Sequence, residues 1–372
     1  MQGLGPNRTR ADARELPNDH DPDSDSIGNL MGRPRQTDDR ITIQAVAKRA
    51  GVSAMTVSNV TNGTGRVSHS TRERVRAVIQ ELGYVPSQAA RGLVGSAVTR
   101  VGLIYSNVES MFINTTLAAV AVVAAEKGMQ LQMKHAVGVS PEATADLARA
   151  LIRAGAQALL LIPPYAEMIG GSAILRELKV PAAAIATAMA LPHATTIRID
   201  NRDAARAITE RLIASGRRRI AVVAGPRSHS DGVARLRGHC DALEAHELRW
   251  QDELCADGDF SFASGLAAAD RLLDLVPRPD AIVAANDEMA AAVLWAAHRR
   301  GMELPADLAV TGFDDTLIAT RVWPPLTTVR QPIKEMAAQA IEWLARAVRD
   351  PDKHLSPQDL VLPFSVIERI SG

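Results

Sequence analysis

Residues 51–62 read GVSAMTVSNVTN. In this run Ser53, Thr56 and Ser58 supply hydroxyls, Asn59 a carboxamide, and Ala54 and Met55 a small and a flexible apolar group. Hydroxyls beside the free backbone amides of a helix start suit phosphate oxygens. A carboxamide on a helix face suits a base edge, adenine above all. The pattern is nucleic-acid chemistry. Reaction chemistry finds little support: Gly-rich phosphate loops and Ser/His/Asp arrangements with supporting spacing are missing, and the nine histidines are scattered. His135, His193, His229, His239 and His298 each stand alone and read as surface or packing residues. Cys240 and Cys255 have neither metal-ligand spacing nor a disulfide framework, and read as small buried residues in a reducing compartment. The sequence therefore points away from an enzyme and requires no cofactor or metal.

Two short helices must position those groups. Thr42 is placed to cap a helix through Val46, Ala47 and Ala50; Gly51 allows a tight turn; Ser53 can cap a second helix, AMTVSNV. Val57 and Val60, three apart, turn inward with Val46 and Ala47, which leaves Ala54, Met55 and Asn59 on the outer side. A third helix, VSHSTRERVRAVIQELGY, starts at Ser68, ends at Gly83, and has Val75, Val78, Ile79 and Leu82 on one apolar face. A helix-turn-helix places just such a second helix in the DNA major groove, its first residues on base edges.

Charge follows the same division. The 372 residues carry no net charge, 42 Lys/Arg against 42 Asp/Glu. Residues 1–32, however, balance at −3, residues 33–100 at +7 and the remainder at −4. A basic block between acidic ones suits a polyanion. Residues 1–39, rich in Asp, Pro, Asn and Gly, read as a disordered extension, with Met31 a candidate native start. No apolar run approaches the ~20 residues that span a bilayer, and the N-terminus has no secretory pattern, so a cytoplasmic protein without a membrane partner is expected. From Val101, β-rich runs (VGLIYS, ALLLIP) alternate with Ala-rich helical ones, and the rhythm restarts after IRIDN near residue 199. Alternation of this kind means parallel sheets covered on both faces, here two doubly wound α/β lobes with a ligand crevice at the strand carboxyl ends.

The segment ITIQAVAKRAGVSAMTVSNVTNG…RVSHSTRERVRAVIQELGYVPSQAARGL resembles the headpiece of the lactose/galactose repressor (LacI/GalR) family. The similarity continues in VGLIYS, RLRGHCDAL, ANDEMA, LAVTGFDD and PPLTTVRQP, and so runs from about residue 41 to the end. It implies an all-α helix-turn-helix headpiece at 40–85, a hinge helix and linker at 86–98, and a periplasmic-binding-protein-like core at 99–372. Lobe 1 is expected at about 99–198 and 328–355, lobe 2 at about 199–327 and 356–372. The implied function is a repressor that binds a pseudo-palindromic DNA operator as a homodimer under a small-molecule, carbohydrate effector. The other reading of the core is a solute-binding protein that reads no DNA.

Residue by residue, the resemblance assigns DNA contacts to Thr42, Ser53, Ala54, Met55, Thr56, Ser58, Asn59, Asn62, Arg72 and Tyr84, and hinge contacts to Ala89 and Leu93, the latter a minor-groove wedge. Asn59 stands where the family usually has Arg, which implies an altered operator. Ala45 replaces a usual Asp, which removes half of a capping box, and Gly92 weakens the hinge helix. In the core, Arg235 of RLRG matches the family's effector-gripping Arg, Asp314 of GFDD a hydroxyl-accepting carboxylate and Phe260 of GDFSF a stacking aromatic, with Asn286 beside them. Together they suit a polyhydroxylated ring; a plain alternative makes Arg235 and Asp314 an interlobe ion pair and Phe260 core. Tyr105, Ser106 and Phe112 follow the first core strand, where the family lines its cleft. Ala186 takes the place of an Asp frequent in sugar-responsive members. With no C-terminal leucine heptad, a coiled-coil tetramer is not expected.

Overall fold

The computed structural model describes residues 41–62, 65–84, 98–105, 110–137, 140–351 and 355–372. The expected extension at 1–39, the hinge residues Ala89, Gly92 and Leu93, Ser106 and the side chain of Asn62 lie outside the described residues. The chain divides into two units at Val94/Gly95.

The first unit holds helices α1 (Ile43–Ala50), α2 (Ala54–Asn62) and α3 (His69–Leu82). Each start is fixed by a hydroxyl. Thr42 Oγ1 accepts from the Ala45 amide at 3.3 Å, Ser53 Oγ from Thr56 at 3.1 Å and Ser68 Oγ from Thr71 at 3.3 Å. Gly51 ends α1 in the left-handed region (φ 65°), a conformation that a side chain would strain, and the chain turns directly into α2. Val46, Ala47, Ala50, Val57, Val60, Val75, Val78 and Tyr84 form the core. Ile79 and Leu82 pack at its edge, and an Arg49–Glu81 ion pair (2.6 Å) ties α1 to α3.

The second unit contains two six-stranded sheets. In the first, β1 (Arg100–Tyr105), β2 (Gln130–His135), β3 (Ala158–Leu161), β4 (Ala182–Ile185), β5 (Thr195–Arg198) and β11 (Asp359–Val361) run in the order β11-β5-β4-β3-β1-β2, all parallel. The second sheet holds β6 (Ile220–Ala224), β7 (Cys255–Asp257), β8 (Ala281–Ala284), β9 (Ala309–Asp314), β10 (Thr327–Arg330) and β12 (Ser365–Ile367). Its order is β12-β10-β9-β8-β6-β7, with β12 antiparallel to β10. Central strands such as ALLL, AAAI and AIVA are wholly buried, as parallel strands covered on both faces must be.

Helices α4 (Met111–Glu126), α5 (Pro141–Arg153), α6 (Tyr165–Gly170) and α7 (Ile174–Leu178) belong to lobe 1; α8 (Asn201–Ala214), α9 (Ser230–Ala245), α10 (Phe262–Leu273) and α11 (Asp287–Arg299) belong to lobe 2. The last helix, α12 (Ile333–Arg349), returns to lobe 1 and lays Met336, Ala337, Ala340, Ile341 and Leu344 against that sheet and α4. The lobe limits read from sequence need correction here. Strand β10, split by the expected boundary at 327/328, lies entirely in lobe 2, and β11, expected in lobe 2, pairs with β5 of lobe 1. A bidentate Arg198–Asp359 pair (2.8 Å for both bonds) fixes that edge. Cys240 and Cys255 are free and, against the expectation of buried residues, only partly buried. His239 does pack, wholly buried between α8 and Trp250, with Nδ1 3.2 Å from Thr209 Oγ1; burial lowers its pKa to about 4.

Candidate DNA-reading surface and effector cleft

On α2 the side chains sort by face. Val57 and Val60 are buried, whereas Met55 is 59% exposed at the first turn. Ser53 and Thr56 hydroxyls lie 2.9 Å apart at the helix start. Asn59 is half-buried and lies against Gly65, where an added Cβ would come within 2.8 Å of its amide nitrogen. Glycine at 65 thus leaves room for the carboxamide one turn beyond Met55. Two assigned residues behave differently. Tyr84 belongs to the headpiece core and Ser58 is buried, so neither presents its side chain as a surface contact. Ala54 packs at the core edge rather than standing free. Arg72 is half-buried, and its Nε has no hydrogen-bond partner among the described residues.

In the second unit a cavity of ≈ 220 Å³ opens between the lobes. Its lining comes from segments that follow strand carboxyl ends. Ser110, Phe112 and Ile113 follow β1, Pro163 and Pro164 follow β3, His229 to Arg235 follow β6, Asp259 and Phe260 follow β7, and Asn286 follows β8, while Asp314 ends β9. That is where doubly wound sheets place ligands.

Arg235 occupies the centre of the lobe 2 wall. Its Nε donates to Asn201 Oδ1 (2.9 Å) and Nη1 to the Ala285 carbonyl (2.6 Å). Nη2 lies 3.6 Å from Asp231 and 3.5 Å from Asp314. The guanidinium plane sits 3.7 Å from the Phe313 ring centroid. Close approach of α8 and α9 makes this possible: a Cβ at Gly238 would stand 2.0 Å from the Arg202 carbonyl oxygen. Burial drives the Asp314 carboxyl well above its usual range, opposed by Arg235 and reinforced by Asp287 and Glu288; Gln331 Nε2 donates to it at 2.7 Å. Asp259 is instead held low by hydrogen bonds from Ser261 and Ser264. Asn286 caps α11, its Oδ1 accepting from Met289 (2.9 Å), while Nδ2 donates to the Phe260 carbonyl (2.8 Å) and Glu288 (3.0 Å).

Comparison with known proteins agrees with both halves. The family description "Bacterial regulatory proteins, lacI family" matches residues 42–87, and "Periplasmic binding protein-like domain" matches residues 209–371. The HTH-type transcriptional regulator CelR of Thermobifida fusca is 36% identical over 345 residues, 90% of this chain and 98% of that protein. The chain belongs to the LacI family of bacterial regulatory proteins. Among solved structures, the Lac repressor dimer bound to operator and the anti-inducer ONPF superposes with a TM-score of 0.77 at 28% identity, covering 89% of this chain and 99% of that one. A CelR–cellobiose complex superposes with a TM-score of 0.65 at 33% identity, covering 90% and 100%. This LacI-family chain is accordingly a DNA-binding transcriptional regulator with an effector-binding core. Among the described residues no helix is long and apolar enough to cross a membrane.

Of the residues that sequence assigned to the regulator's cleft, Phe112, Arg235, Phe260, Asn286 and Asp314 line one cavity. Tyr105 does not; its ring sets an edge against His135 (5.4 Å between centroids) and packs on the core. Arg235 and Asp314 do pair, but within lobe 2 rather than between lobes. His229, read as surface or packing, lines the cavity with its ring 5.6 Å from Phe260. Asp231 and Asp259 were missed. Their signal was positional, since both lie in or just after loops at strand carboxyl ends. Ala186 is buried, and Thr187 beside it gives its hydroxyl to the Met189 carbonyl (2.9 Å), so neither replaces the absent carboxylate.

Proposed function

We propose that this regulator is a cytoplasmic repressor that binds a pseudo-palindromic operator as a homodimer, and that a carbohydrate in the interlobe cavity sets its hold on DNA. The observation that carries the reading is the convergence of Arg235, Asp314 and Phe260 on one cavity in a chain whose α2 is capped at its start and exposes Met55. A guanidinium–carboxylate pair beside an aromatic ring suits hydroxyls and the apolar face of a sugar. Similar chains support the reading: CelR forms a complex with cellobiose, and the Lac repressor dimer binds its operator together with ONPF. Effector control then requires only that the sugar prefer one lobe arrangement; tens- to thousands-fold preference is worth roughly 1.4–4 kcal/mol. A solute-binding protein shares the two-lobed core but has no use for a helix-turn-helix headpiece.

Selection of genomic fragments by the purified full chain, with and without Leu93→Ala, tests the reading. The expected outcome is a pseudo-palindrome with two half-sites, weakened in the variant because the hinge wedge is lost. Recovery of no preferred sequence would overturn it.

A further inference from the structure

The described lining of the cavity holds many acceptors and few free donors. Asp231, Asp259 and Asp314 face it against a single guanidinium and the His229 ring, whose Nδ1 lies 3.9 Å from Asp231. Arg235 is hydrogen-bonded internally through Nε and Nη1 and ion-paired through Nη2. The Asn286 amide is likewise bound to Phe260 and Glu288. A helix N-terminus would ordinarily welcome an anion. At the start of α4, however, Met111 gives its N–H to Glu288 (2.8 Å) and Ile113 gives its own to Ser110 Oγ (3.4 Å). A proton on Asp314 would add one O–H donor and no positive charge. Lobe 1 contributes Phe112, Ile113, Pro163 and Pro164 and, apart from Ser110, no polar side chain to the described lining.

We propose that the effector is an uncharged, hydroxyl-rich ring read by the carboxylates of lobe 2 and covered on its apolar face by lobe 1, and that phosphorylated and carboxylated sugars are excluded. This names the ligand class of the carbohydrate site and rests on that reading. Hydroxyls bring the hydrogens that Asp231, Asp259 and Asp314 can accept. A phosphate or carboxylate brings only acceptors and a charge of the same sign, and among the described lining residues Arg235 and His229 both already face carboxylates.

The test is a thermal-shift and calorimetry panel on the full chain: glucose, ribose, maltose and cellobiose against glucose 6-phosphate, ribose 5-phosphate, glucuronate and gluconate. Stabilisation confined to the uncharged members is expected, with the anionic derivative of any binder weakened by about 100-fold or more, the scale of an unpaired buried charge. In Asp231→Asn, Nη2 of Arg235 loses one carboxylate, and the anionic derivative gains about tenfold relative to its parent, the scale of one charged hydrogen bond. Asp259→Asn, at an exposed position, moves the ratio the same way and serves if the first variant folds poorly. An anionic sugar that binds the unaltered chain as tightly as its parent overturns the proposal. Failure of every sugar, with operator binding intact, overturns the carbohydrate reading and this inference with it.

Discussion

Asn59 is the residue through which the proposed operator reading is most directly tested. A carboxamide pairs bidentately with adenine, whereas Arg pairs with guanine, and each match is worth roughly 1–3 kcal/mol. Asn59→Arg is therefore expected to move the preferred base at one position of each half-site from adenine to guanine, by about 10- to 100-fold on that scale. Competition binding with operators altered at single positions would measure it, and an unchanged preference would show that Asn59 does not reach a base. Residues of this kind were legible because their chemistry sits in a short, fixed helical frame. The same held for Arg235, Asp314 and Phe260, each inside a recognisable motif. His229, Asp231 and Asp259 were not, because they lie at or beside loops where no hydrophobic period marks direction. Tyr84 misled for the opposite reason. A tyrosine has an apolar body and a polar tip, and its place just past α3 did not reveal that the ring closes the headpiece core.

At the level of elements, two carboxylates join the lobes beside the cavity. Glu288, at the start of α11, accepts from the Met111 amide at the start of α4 (2.8 Å). Glu167 on α6 accepts from Ser230 at the start of α9. Burial raises the pKa of Glu288 and, above all other causes, carries that of Glu167 to about 7. A carboxylate against a helix N-terminus is favourable, and a charged hydrogen bond contributes about 1.5–3 kcal/mol. Glu288→Ala is expected to favour the open arrangement of the lobes, with a larger radius of gyration in small-angle scattering and weaker effector binding. Glu288→Gln, which retains an acceptor for Met111, should recover part of both. Unchanged scattering in the alanine variant would mean that the contact does not hold the lobes. The alternation of strands and helices was plain in the sequence, and so was the restart near residue 199. Assignment of the last strands was not, because a short run such as TTVR or DLV shows that it is a strand without showing which sheet it joins. For DLV the hydrogen-bond partner is set by where α12 returns the chain, and for TTVR by its parallel pairing beside β9, both tertiary matters.

For the whole molecule the decisive question is how two headpieces come to act together. A single helix-turn-helix meets one half-site, and tight binding of a pseudo-palindrome needs both on one body. Lobe 2 offers a surface for this. Phe262, Leu294, Trp295, Ile318, Val322 and Trp323 line an apolar groove, where Trp323 is 72% exposed and Trp295 47%. His298 holds the rim by its contact with the Trp323 carbonyl (2.7 Å), and Arg299 covers the Trp295 ring at 4.7 Å. Clustered exposed tryptophans are costly to leave in water and are the side chains that dominate protein interfaces. The similar Lac repressor binds its operator as a dimer, which favours a second copy as the occupant. Trp323→Asp would put a charge into the middle of that contact while leaving the fold intact, since the side chain is largely exposed. Sedimentation should then show a shift from dimer toward monomer, and affinity for the full pseudo-palindrome should fall by about 100-fold as the linked second half-site is lost. Affinity for an isolated half-site should stay unchanged, because the headpiece is untouched. A variant that remains dimeric at the same concentration would place the interface elsewhere on the core.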